Sequence, residues 1–262
     1  MHSEPLDIFP LWSLFLAASV LAWLAIEGGY RYGLWRNARA TAEKEASVGA
    51  MVGSILGLLA FLLAFTFGMA ASRFDARRQT VLEEANAIGT TYLRTRLLPE
   101  PQRTETAKLL REYVDVRVRG IQEGKLAELI TQSEALQELI WVQAVAASRN
   151  KEGVTVMTSL FIQSLNETID VHAKRIQVGA RNRVPLSIWG GLFSLAMLSM
   201  AAVGYHAGLS ATRRSPAMVG MVLAFAGVLF LIGDLDRGQE GFLRVSQQAM
   251  LDLQRSMQTT KP

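Results

Sequence analysis

The chain of 262 residues contains no cysteine, three histidines and seven prolines. Without cysteine there is no disulfide framework, no thiolate metal site and no thiol nucleophile. His2, His172 and His206 lie far apart and share no ligand spacing, so a metal site is not expected. A phosphate loop, a G-x-S-x-G elbow and a glycine-rich dinucleotide fingerprint are all missing, so no cofactor is expected. Glu83 and Glu84 are adjacent and face different sides of a helix, which is wrong for two carboxylates working on one substrate. Enzyme is therefore the least supported class, and no catalytic residue is assigned. An excess of one charge is lacking too: 27 basic residues stand against 23 acidic ones, for a net +4. The cations lie mostly beside apolar segments, where topology and anionic lipid account for them, and nucleic acid is not an expected partner.

Hydrocarbon is what the chain has in plenty. Half of its residues are hydrophobic and 19% are charged, the balance of a membrane protein whose first partner is the lipid bilayer. Four segments free of Asp, Glu, Lys and Arg are long enough to cross about 30 Å of hydrocarbon, which takes roughly 20 helical residues. They run from Ile8 to Ile26, Ala46 to Ser72, Val184 to Thr212 and Ser215 to Gly233. The first has an acidic N-terminal flank with Glu4 and Asp7, so it reads as a retained span and not as a cleaved signal.

The order predicts an all-α protein with four transmembrane helices in two hairpins and a central helical extramembrane bundle continuing from helices two and three. The expected divisions are a first hairpin over 1–72, a helical domain over 73–183, a second hairpin over 184–233 and a tail over 234–262. Inside the domain, apolar positions keep helical spacing at Val81, Ala85, Ile88 and Tyr92; Leu110, Val114, Val118 and Ile121; Leu129, Ser133, Leu136 and Ile140; and Met157, Phe161, Leu165 and Ile169. Four such helices with short connections suggest a bundle. Arg31, Arg36, Arg39 and Lys44 in the first loop, with Arg213 and Arg214 in the last, place both loops in the cytoplasm and the central domain outside.

Two features single out candidate residues. Gly49, Gly53 and Gly57 recur every four residues in the second span, and Phe61 with Phe65 continues the stripe. Small residues at this period mark a helix association face, and the pattern predicts either tight packing or a homo-oligomer with a phenylalanine constriction that gates by dewetting. The fourth span ends on Asp234, Asp236 and Arg237, level with Arg73, Arg77, Arg181 and Arg183. Acid at a helix C-terminus meets the negative end of the macrodipole, so guanidinium partners are expected, as an ion-pair network or as a charged vestibule for small anions.

The stretch "LEEANAIGTTYLRTRLLPEPQRTETAKLLREYVDVRV" at 82–118, "ARNRVPLSIWGGL" at the third span and "DLDRGQEGFLRVS" at 234–246 resemble a bacterial membrane family of unknown function labelled bestrophin-like. The resemblance covers nearly all of the chain. The positions carried over from it are Glu84, Asn86, Ile88, Gly89, Pro99 and Tyr113 in the first block, with Asp234, Asp236, Arg237, Gly241 and Arg244 in the second. Similar sequences often have proline after the second block's arginine, where this chain has Gly238. By its layout the family is linked to bestrophins, pentameric anion channels whose second membrane helix lines the pore with a hydrophobic neck and whose middle domain is cytosolic. The resemblance therefore implies an oligomeric anion-permeable channel of the inner membrane, with a domain side opposite to the one the loop charges give. The alternative is a non-conducting membrane scaffold or sensor with a helical partner-binding domain.

Overall fold

The computed structural model describes residues 10–39, 45–123, 126–149, 155–180, 183–211, 215–237 and 241–259. Eight α-helices and no strand occur among them. The chain divides into two compact units, one of Asp75–Asn182 with Val245–Pro262 and one of His2–Phe74 with Arg183–Arg244.

The second unit holds α1 (Leu11–Ala38), the first part of α2 (Glu45–Arg94), α6 (Leu186–Leu209) and α7 (Pro216–Arg237). All four helices are long and apolar enough to cross a membrane. Proline marks three starts, at Pro10 before α1, Pro185 before α6 and Pro216 as the first residue of α7, where its missing N–H is one the helix would leave unpaired anyway. Trp12 and Trp35 stand exposed near the two ends of α1, where interfacial aromatics belong. The first span is longer than its charge-free core: α1 continues past Ile26 to Ala38, with Glu27 answered by Arg31 at 2.7 Å one turn on.

Close packing of α1 on α6 rests on two glycine pairs. A β-carbon on Gly29 would strike the Ala201 carbonyl, one on Gly33 the Tyr205 carbonyl, one on Gly204 the Ile26 carbonyl, and one on Gly208 the Tyr30 carbonyl. The backbones thus touch through Gly29-x-x-x-Gly33 and Gly204-x-x-x-Gly208, the small-residue device by which helices approach in lipid. Around this seam Ala18, Ala22, Ile26, Ala196 and Met200 join Phe225, Ala226, Leu229 and Ile232 of α7 in one apolar core.

The first unit holds the rest of α2, a 3-10 turn at Thr95–Leu97, α3 (Gln102–Glu123), α4 (Leu126–Ser148), α5 (Val156–Ala180) and α8 (Gln248–Thr259). Its core is formed by Ile88, Leu110, Tyr113, Val114, Ile140, Phe161, Leu165, Met250 and Met257. Of the helical stripes expected here, Met157 departs: it is 51% exposed, and the buried face of α5 begins instead at Phe161. The N-terminus of α5 is closed by a reciprocal cap in which Thr158 Oγ1 accepts the Thr155 N–H and Thr155 Oγ1 accepts the Thr158 N–H.

Unbroken helix from Glu45 to Arg94 makes α2 about 75 Å long at 1.5 Å per residue, more than twice what hydrocarbon requires. At the other boundary α5 stops at Ala180 and α6 starts afresh at Leu186, because Pro185 cannot supply the N–H that a continuous helix would need. The tail expected over 234–262 divides: residues up to Arg244 belong with the spans, and α8 belongs with the helical unit. Met250 and Met257, seven residues apart on one face, are what bury it, and Gly89 leaves room for Leu253, whose Cδ1 would lie 3.3 Å from a β-carbon there.

Candidate functional site

Within the helical unit, one carboxylate gathers three neighbouring helices. Glu84 of α2 is fully buried. Its Oε2 accepts from Arg175 Nη1 of α5 and, at 3.2 Å, from Arg117 Nη2 of α3. Its Oε1 accepts from the Tyr113 hydroxyl at 3.3 Å and lies 3.1 Å from Arg117 Nε. Tyr113 Oη in turn receives Gln137 Nε2 of α4 at 3.2 Å and stands 3.0 Å from His172 Nδ1. Since the Tyr113 hydrogen goes to Glu84, the network assigns the His172 proton to Nδ1, which leaves Nε2 buried with no hydrogen-bond partner among the described residues. Arg175 Nη2 also reaches Gln247 Oε1 at 2.9 Å, just before α8.

Two guanidiniums against one carboxylate decide the electrostatics. Burial pushes the Glu84 carboxyl up, but Arg175, His172, whose Nδ1 also lies 3.5 Å from Glu84 Oε1, and Arg117 together outweigh it and hold the group well below the usual carboxylate range. Burial and the Glu84 charge push the Tyr113 phenol up, so it stays a donor. The cluster is a charged tie between helices, largely buried, and its groups other than His172 Nε2 are occupied with one another. Glu84 and Tyr113 were marked by family resemblance, whereas Arg117, Gln137, His172 and Arg175 were not. Their signal was present in the spacing, Tyr113 and Arg117 four apart on α3 and His172 and Arg175 three apart on α5, each pair on one helix face. The other positions of that block do different work: Asn86 is exposed, Pro99 is half-buried and accepts the Arg103 N–H at its carbonyl, and Gly89 seats Leu253.

In the membrane unit the acidic end of α7 is buried, with Asp234 1% and Asp236 7% exposed. Backbone amides receive both. Asp234 takes Phe242 N–H on Oδ1 at 3.0 Å and Leu243 N–H on Oδ2 at 3.1 Å, and Asp236 Oδ1 takes Val184 N–H at 2.9 Å. Gly241 makes the first of these possible: it has φ +138°, and a β-carbon on it would overlap Asp234 Oδ1. Exposed Arg244 closes the same turn by donating from Nε to the Gly241 carbonyl at 3.3 Å. For Asp234 the compensation is thus a capped chain reversal, where guanidinium pairing was expected. Among the basic residues of that expectation, Arg77 and Arg237 are buried, Arg73 and Arg183 are half-buried, and Arg181 lies outside the described residues.

The stripe on α2 is split. Gly49 is half-buried, and a β-carbon there would meet His206 Nε2 of α6 at 3.0 Å. Gly53 and Gly57 face open space, and Phe61 and Phe65 are 65% and 62% exposed. At 100° per residue Phe61, Gly68, Ser72, Asp75, Gln79 and Asn86 fall within about 60° of one line, and all are exposed. Glu84 lies about 140° round from Phe61. One side of α2 is therefore used for packing within the chain while the opposite side, aromatic within the span, has no cover from the described residues of a single copy.

No curated protein matches the sequence. Crystal structures of a bacterial bestrophin homologue from Klebsiella pneumoniae resemble it in fold at 15% identity. Two single-site variants give TM-scores of 0.67 and 0.69, each over 95% of this chain and 99% of the other. A structure of that homologue phased on zinc gives 0.64, over 95% and 98%. The model of the bestrophin-like domain matches residues 16–250, from α1 into α8, and takes in both the Glu84 tie and the Asp234 turn. A protein with these four spans and this helical unit belongs to the bestrophin-like domain family.

Proposed function

We propose that the protein is an oligomeric, anion-permeable channel of bestrophin-like type in the bacterial inner membrane, with the uncovered line of α2 turned to the axis. The observation that carries this reading is the exposure of Phe61 and Phe65 beside two glycines where a β-carbon would meet no other helix within 4 Å among the described residues. Gly53 and Gly57 let copies of α2 approach one another, and the two phenylalanines beyond them form a hydrophobic neck that conducts when wetted and closes when dry. The fold likeness to a bestrophin homologue supports the same arrangement. Arg73 and Arg183, half-buried in the membrane unit, add positive potential near the ends of the spans. Asp75 is exposed on the axial line and opposes anions there, so selectivity should be weak.

Purified protein in chloride-loaded liposomes tests this. Changing Phe61 and Phe65 together to Ala should speed chloride efflux several-fold over the wild type, and the reversal potential in a chloride gradient gives the sign of the carried ion. Efflux at the protein-free background for both proteins would discard the channel and leave the scaffold or sensor, whose spans only anchor a partner-binding helical unit.

The loop charges place the helical unit outside, and the bestrophin likeness implies the cytosol. We adopt the outside placement on the charge of the first loop.

A further inference from the structure

Near the end of α1 the membrane unit carries an aromatic column that finishes in a cation, and neither the axial line of α2 nor the Asp234 turn uses it. Tyr205 of α6 stacks on Tyr32 of α1 with ring centroids 5.6 Å apart, and Tyr32 stacks on Trp35 at 5.6 Å. The Arg39 guanidinium lies over the Trp35 ring, 4.0 Å from its centroid. Backbone contact fixes the column, because a β-carbon on Gly33 would lie 2.4 Å from the Tyr205 carbonyl oxygen and the two helices touch at the level of the rings. Tyr32 and Trp35 are nevertheless 54% and 47% exposed, and Arg39 is exposed with them. Stacking on a ring uses the face of a guanidinium and leaves its N–H edge unspent. Among the described residues no acceptor and no carboxylate meets the Arg39 side chain, whereas Arg31, two turns earlier, is paired with Glu27 at 2.7 Å.

We propose that this column is a docking site for an anionic phospholipid, with the headgroup phosphate on the Arg39 fork and the lipid body beside the exposed rings of Tyr32 and Trp35. Depth argues for a lipid. Trp12 and Trp35 are 23 residues apart, about 35 Å of helix, against about 30 Å of hydrocarbon. With Trp12 in one interfacial layer Trp35 falls in the other, and Arg39, one turn farther on, reaches the phosphates. Charge then selects among lipids. Phosphatidylcholine brings an ammonium whose usual seat, an aromatic face, is already taken by Arg39, while the phosphate of an anionic lipid gains a two-pronged partner that no carboxylate holds. The stack also orients the guanidinium before the lipid arrives, so less side-chain freedom is lost on binding. The site is independent of conduction and stands or falls apart from the channel reading.

Native mass spectrometry of the full chain in detergent, offered equal phosphatidylglycerol and phosphatidylcholine, tests it. The wild type should retain phosphatidylglycerol preferentially. Arg39→Ala, at an exposed position whose loss the fold tolerates, should lower that occupancy about fivefold, the effect of one cation near an anionic headgroup, and should leave phosphatidylcholine unchanged. Arg31→Ala removes the same formal charge from the same helix and should lower it by less than about twofold, because Glu27 already answers Arg31. Trp35→Leu keeps every charge and should still lower retention, with melting near wild type, because the ring that orients Arg39 is gone. Equal retention of the two lipids by the wild type would overturn the proposal, as would unchanged phosphatidylglycerol in Arg39→Ala. Equal losses in Arg39→Ala and Arg31→Ala would overturn it in favour of diffuse surface charge, and full retention in Trp35→Leu in favour of a lone arginine. Inorganic phosphate competing as strongly as the lipid would also overturn it, because the rings would then contribute nothing.

Discussion

Glu84 and Asp234 are both buried carboxylates, and they are compensated in opposite ways. Glu84 is held by ionised partners, so removing its charge strands two guanidiniums, and breaking a buried pair of this kind costs about 3–5 kcal/mol. Glu84→Gln should therefore lower thermal stability in detergent sharply. Glu83→Gln, which loses only the exposed contact to Lys174, should cost less than about 1 kcal/mol. The folded-state carboxyl lies below its ordinary value of 4.5, so its contribution is complete above that pH and is lost as pH falls toward the folded value. The gap between wild type and Glu84→Gln should accordingly be flat at neutral pH and narrow below about pH 4.5, which a pH series of melting curves checks. Asp234 is held by neutral amides. Asp234→Asn offers one acceptor where two are needed and should cost about 1–3 kcal/mol, against less than about 0.5 kcal/mol for Asp252→Asn on the exposed face of α8. Sequence spacing placed Tyr113 with Arg117 and His172 with Arg175 on common faces. It could not say that both faces turn to Glu84, because that depends on how α3 and α5 lie against α2.

At the scale of the helix, two sets of glycines with the same four-residue period have different fates. Gly29, Gly33, Gly204 and Gly208 are consumed by the α1–α6 seam, while a β-carbon on Gly53 or Gly57 would have no other helix within 4 Å among the described residues. Period alone cannot separate these, since a helix surface is equally smooth whether the approaching backbone belongs to the same copy or another. The consequence is testable by thermal melting and crosslinking together. Gly204→Leu should unfold or strongly destabilise the single chain, because the intruding side chain meets backbone that cannot yield. Gly53→Leu should leave the melting of the single chain near wild type and shift the oligomer distribution instead. The span count and the length of α2 were readable from charge-free runs and the continuing helical period. The α8 packing was not, because two methionines in a polar dodecamer carry little weight until a core is present to receive them.

The whole molecule joins a membrane unit and a helical unit through one helix that belongs to both, and the side on which the helical unit lies fixes what the mouth of the proposed channel would meet. Charge counts in the loops and the bestrophin likeness disagree on that side. Single cysteines resolve it cleanly in a chain that has none of its own. Glu134 on α4 and Asn37 near the end of α1 are both exposed. On whole cells, a membrane-impermeant maleimide should label Glu134→Cys and spare Asn37→Cys if the helical unit is outside. The reverse pattern would move it to the cytosol.

Phe61 and Glu84 share an uninterrupted rod of backbone hydrogen bonds, six full turns and about 140° apart. A rod of that kind resists torsion, so whatever grips it by the carboxylate also sets the azimuth at which the aromatic rings are presented. Loosening that grip, as Glu84→Gln should, would free the helix to roll about its own axis. In the proposed channel the neck would then change width although no group in the path of the ion is altered.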